Sequence, residues 1–157
     1  MDAITLLKAD HKNVAKLFRD FEKARKNEDP ERKQLVQQMI EELSIHTAIE
    51  EEVFYPTIRR EIDGIDDDVL EAFEEHHVAK WLLEELTNLP ADDERYDAKV
   101  TVLIENVRHH VKEEEDELFP EVRDALGRKR LGEIGEQLES AKADAPRQPQ
   151  PDRVVRS

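Results

Sequence analysis

His46-Thr-Ala-Ile-Glu50-Glu-Glu-Val-Phe-Tyr55-Pro56 and His110-Val-Lys-Glu-Glu114-Glu-Asp-Glu-Leu-Phe119-Pro120 are two copies of one device, 64 residues apart. His, two Glu and Pro coincide, and both copies end in an aromatic residue followed by Pro. Upstream, Leu43 matches Val107 and Met39 matches Leu103; downstream, Arg59 matches Arg123. The bare H-x-x-x-E spacing is weak evidence. In a chain this rich in Glu, six histidines give about one such pair by chance, and three occur (His46–Glu50, His109–Glu113, His110–Glu114). The duplicated surroundings carry the signal.

Working outward, a second match appears at an offset of 65 residues. His11 is followed by Val14, Leu17, Phe18 and Phe21, and His76 by Ala79, Leu82, Leu83 and Leu86 at the same steps. Apolar residues recur at i, i+3, i+4 and i+7 from Ile4 to Phe21, Leu35 to Val53, Val69 to Leu86 and Val100 to Leu118. Asn27–Pro30, Asp63-Gly64, Pro90 and Gly127 interrupt the pattern, and Asp66–Asp68 offers N-cap chemistry. No strand pattern is present. The expectation is an all-α, antiparallel up-down-up-down four-helix bundle over residues 1–143. A short fifth C-terminal helix fits Arg130–Ala143, and residues 144–157, with APRQPQPDRVVRS, read as a Pro-rich disordered tail.

The chain has 157 residues, 40% charged, with 24 Lys+Arg against 39 Asp+Glu, so its net charge is −15. One domain is the natural division of that length. Without cysteine there are no disulfides, thiolate metal sites or cysteine nucleophiles. Four glycines and no Gly-rich loop leave no phosphate-cradling fingerprint. Nucleic acid and anionic membranes are poor partners for such a charge. No apolar run approaches a membrane span and the first residues lack a secretory pattern, so a cytoplasmic location is expected. Nothing in the pattern calls for more than a monomer.

Helical phase sorts the histidines. His46 has Met39, Leu43, Ile49 and Val53 on its own stripe; His110 has Leu103, Val107 and Leu118. His11 has Ile4, Leu7 and Phe18, and His76 has Val69, Phe73 and Leu83, with His77 the alternative. His109 points to solvent among Asn106, Lys112 and Asp116. Each helix thus offers one inward His, and two add a Glu at i+4, a side-by-side position. Four imidazoles and two carboxylates are costly to bury without a partner, and a metal supplies one. A metal-free His–Glu hydrogen-bond network is the bland alternative. The donors are N and O, more numerous than a zinc site needs, and suit two octahedral ions, iron before Mn or Zn. Four His and two bridging Glu fill eight of twelve positions. An oxo or hydroxo bridge fills two more and leaves two open.

At these residues the sequence resembles the hemerythrin family, specifically the bacterial HHE cation-binding domains. LLKADHKNV, HTAIEEEVFYP, EEHHVAKWLLEEL and VRHHVKEEEDELFP carry the likeness, over roughly residues 3–126. The resemblance implies a helical bundle around a non-heme di-iron centre reacting with O2, peroxide or NO. His11, His46, His76 and His110 would be terminal ligands, and Glu50 and Glu114 bridging carboxylates. Oxygen-carrying hemerythrins have a second His four residues after the third-helix His, where this chain has Lys80. They also space the last His and its bridging Asp by five, against four for His110–Glu114. Without that fifth His one more coordination position is open, which turns the expectation from reversible carriage towards sensing, scavenging or catalase-like chemistry. Iron binding or storage without turnover, and a metal-free acidic interaction module, are the competing readings. No catalytic side chain or organic cofactor is assigned. Lys80 is expected beside the open position. Tyr55 is off the His46 face of an ideal helix and would approach the metal only where Pro56 distorts that helix, and Glu51, Glu52, Glu113 and Glu115 read as surface charges that would also draw cations towards the site. Trp81 reads as a packing residue.

Overall fold

A computed structural model describes residues 1–149. In order it contains α1 (Ala3–Lys26), α2 (Arg32–Ile49), a π-turn (Glu50–Phe54), α3 (Tyr55–Glu61), α4 (Asp66–Asn88), α5 (Tyr96–Glu113), a second π-turn (Glu114–Leu118) and α6 (Phe119–Asp144). No strand occurs among the described residues. Since α2 runs through its π-turn into α3, and α5 through its own into α6, four long helical rods result. They pack as an antiparallel bundle. Arg25 near the end of α1 and Arg32 at the start of α2 both pair with Asp97 near the start of α5, which places those termini together.

Local chemistry explains the boundaries. Asp2 caps α1, its Oδ1 accepting the Thr5 N–H at 2.8 Å. Gly64 takes φ 82 in the turn before α4, a conformation costly for a residue with a Cβ. Asp66–Asp68 lie inside the first turn of α4 rather than capping it; Ile65 is the N-cap and makes no side-chain cap bond. Three carboxylates there still complement the helix dipole. Gly127, at φ 78 and ψ 174, breaks α6 into a segment continuing α5 and a C-terminal segment, 128–144.

That C-terminal segment is the expected fifth helix. Leu131, Ile134 and Leu138 are fully buried and join Ala3, Ile4, Leu7, Ile49 and Ile58 in one core cluster. At Gly135 the α1 entry passes so close that a Cβ would lie 2.1 Å from the Met1 carbonyl oxygen. After it, Ala145 packs against the same cluster and Arg147 pairs with Glu41 at 3.7 Å. The remainder of the expected tail, 150–157, lies outside the described residues.

A second apolar cluster fills the other half of the bundle, from Val14, Phe18 and Phe21 to Met39, Leu83, Leu103 and Val107. Between the two clusters every helix inserts polar side chains: Asp10 and His11, His46, His76, and His110 with Glu114. No helix is long and apolar enough to cross a membrane among the described residues.

Candidate metal centre

The structure brings all six expected site residues into this layer, each at most 8% exposed. Ligand atoms of His11, His46, Glu50 and Glu114 lie within 4.8 Å of one another, as do those of Glu50, His76 and His110. Glu50 belongs to both groups. His46 Nε2 and His76 Nε2 both lie 3.1 Å from Glu50 Oε1. His11 Nε2 lies 3.1 Å from Glu114 Oε1, and His110 Nε2 lies 3.3 Å from Glu114 Oε2. His76 is the buried residue of its pair, with His77 only half-buried. His109 is exposed.

Around this centre stands a ring of carboxylates. His46 Nδ1–H donates to Asp10 (2.9 Å) and His110 Nδ1–H to Glu75 (2.7 Å). His76 Nδ1–H donates to Glu51 (2.8 Å) and His11 Nδ1–H to Glu115 (2.6 Å). An ionised carboxylate only accepts, so each Nδ1 carries a proton and each ring turns its Nε2 inward. Metal-binding histidines are usually oriented this way. The internal repeat governs the ring too. Asp10 and Glu75 each precede an inward His, and Glu51 and Glu115 each follow an inward Glu.

Glu51 and Glu115 are therefore not the surface charges expected from the sequence. Lys80, 3% exposed, donates to Glu51 Oε1 at 2.8 Å, so it acts on His76 through Glu51. Trp81 is 57% exposed and is not a packing residue.

Tyr55 departs most from the ideal helical wheel. Nine residues after His46, it belongs on the far side of an ideal helix, about 180° away at about 100° per residue. The structure buries it completely and directs its hydroxyl into the centre. Oη donates to Glu114 Oε2 at 2.5 Å and lies 3.2 and 3.3 Å from Nε2 of His76 and His110. The π-turn is the reason. Pro56 has no N–H for the helical bond back to Glu52, and the Tyr55 N–H bonds to the Glu50 carbonyl, five residues back. One extra residue in the turn rotates Tyr55 inward. The second π-turn treats Phe119 alike, and its ring stacks on His11 with centroids 5.8 Å apart. Pro56 and Pro120 were the legible signal.

The electrostatics show a centre built for positive charge. Burial opposes a charged His46, yet Glu50 and Asp10 outweigh it and lift the imidazole to about 10. His76 and His110 are also raised against their burial, by Glu50 with Glu51 and by Glu114 with Glu75. Burial and the Glu114 charge push Glu50 up, but His46 and His76 prevail and hold it down. Burial and the neighbouring carboxylates raise the Tyr55 hydroxyl well above its ordinary value. Even so, His11 Nε2, His46 Nε2, both Glu50 oxygens and Glu114 Oε1 reach no hydrogen bond of acceptable angle. Buried polar atoms left without a partner are costly, and a cation among them would satisfy all of them. The donor set thus fits a metal.

The fold and this layer define an all-helical bundle with a buried histidine–carboxylate centre able to bind metal. The model of the Hemerythrin HHE cation binding domain matches residues 2–122, and the chain belongs to that family. A similar solved structure is a hemerythrin HHE cation binding domain-containing protein from Mycobacterium kansasii, with a TM-score of 0.76 and 24% identity over 92% of this chain and 86% of that one. A curated relative, a DNA nickase from Nostoc sp., is 26% identical over 144 residues. The chain spans 40% of that relative's length.

Proposed function

We propose that the chain holds two iron ions and reacts with O2, peroxide or NO, in sensing, scavenging or catalase-like turnover. One ion would take His11 and His46, the other His76 and His110, with Glu50 and Glu114 shared. Bound iron supplies the redox chemistry. The observation that carries this reading is the convergence of four inward Nε2 atoms on two buried carboxylates, with every opposite ring nitrogen tied down. Nitrogen and oxygen donors without sulfur suit iron.

The chain's own residues do the rest. The outer carboxylates hold ring orientation, and Tyr55 keeps its hydroxyl proton directed at Glu114 Oε2. Val14, Leu43, Ala79 and Val107, with the histidines, enclose a cavity of ≈20 Å³ on one side of the centre. That is room for one water-sized molecule. DNA nicking is not carried over from the relative, since a net charge of −15 opposes a phosphate backbone.

Metal analysis with optical spectra under anaerobic, O2 and peroxide conditions tests the proposal. About two Fe per chain and spectral changes with an oxidant are expected. Protein that ignores ferrous iron would overturn it. Iron retained without any response would support iron binding without turnover.

A further inference from the structure

The two halves of the repeat share a centre but not its surroundings. In the second half, α4 and α5 leave a cleft of ≈140 Å³ walled by Asp68, Glu71, Glu75, Glu113 and Glu117, ending on Glu114 and His110. In the first half the residues at equivalent positions are Ala3, Leu6, Ile49 and Val53 in place of Asp68, Glu71, Glu113 and Glu117. They lie in the core cluster with Leu131, Ile134 and Leu138 of the C-terminal segment. One groove is apolar and plugged; its counterpart is acidic and open.

The plug also carries a cation. Asp10 uses one oxygen for His46 and the other for the Lys142 ammonium. Glu75, its counterpart, uses Oε1 for His110 and turns Oε2 towards His109, 3.9 Å away. His109 Nε2 is also 3.0 Å from Glu113 Oε1, and donor atoms of Glu75, His109 and Glu113 all lie within 4.8 Å of one another. The position filled by an ammonium in one half is thus framed by three potential ligands in the other. At the inner end stands Glu114, 2% exposed, with Oε1 lacking a hydrogen bond.

We propose that the α4–α5 cleft is the loading route for a divalent cation, and that Glu75, His109 and Glu113 form a docking site at its mouth that passes the ion to Glu114 and His110. This rests on the metal-centre proposal above. A cleft lined by one sign of charge concentrates counter-ions and speeds their capture by about 10- to 1,000-fold, an effect that salt weakens.

Anaerobic uptake of Fe(II) by metal-free full-length protein, followed in time, tests it. The double variant His109→Ala/Glu113→Gln and the wall variant Glu71→Gln/Glu117→Gln are compared with wild type and with Glu94→Gln, a loop control. About tenfold slower loading is expected for the first two, with the wild-type Fe content at the plateau and a gap that narrows at high salt. Equal rates across all four proteins at low salt would overturn the route while leaving the centre intact. A wild type that never reaches a metal plateau would overturn the centre itself, and the route with it.

Discussion

Both ring nitrogens of His46 face carboxylates, and that arrangement makes the metal-free protein sensitive to alkali. Its folded value of about 10 stands above the ordinary 6.5. A group raised on folding contributes stability that is complete below its unfolded value and is lost as pH rises through the folded one. His76 and His110 are raised in the same direction. The melting temperature of metal-free protein is expected to fall between pH 6.5 and about 10, and His46→Gln to shrink that fall. An unchanged slope in the variant would count against it. Tyr55 gives a spectroscopic prediction. Its Oη lies where an ion held by His76 and His110 could take an oxygen donor. Ferric-loaded protein is expected to show a phenolate charge-transfer band in the visible that Tyr55→Phe lacks. Identical spectra would place the hydroxyl outside the coordination.

At the scale of elements, two of the four long rods, α2–α3 and α5–α6, carry a π-turn beside a proline, and each π-turn brings an aromatic residue to the centre. A 3.6-residue wheel was adequate for His46 and Glu50, which precede the turn, and failed for Tyr55, which follows it. The C-terminal segment after Gly127 is held chiefly by apolar contact. Ile134 is fully buried, in one core cluster with residues of α1, α2 and α4. Ile134→Ala is expected to cost about 2–5 kcal/mol, typical of a core Ile truncation. Chemical denaturation measures this, and a loss below about 1 kcal/mol would show that the segment is only loosely docked.

For the whole molecule, the polar layer divides the core into two apolar halves and is the least favourable part of the metal-free fold. A ligand that binds only the folded state stabilises it by about 2.7 kcal/mol at a free concentration 100 times its Kd. Iron loading is therefore expected to raise the melting temperature by several degrees, and chelation to reverse the rise. Protons compete for the same lone pairs, so the gain should diminish as pH falls. A melting temperature indifferent to iron would argue that the layer is satisfied without it.

The amino-acid sequence alone carried the helices, the four inward histidines and the two glutamates beside them. Those depend on spacing along one helix, and helical periodicity is a local property. Only the tertiary structure decided the partners of Glu51, Glu115, Asp10 and Glu75, because each reaches across to a histidine on another helix. The inward turn of Tyr55, the plugging of one groove by the C-terminal segment and the open acidic groove opposite were decided there too. A π-turn changes helical phase, and the docking of one rod against another depends on which faces remain after that change.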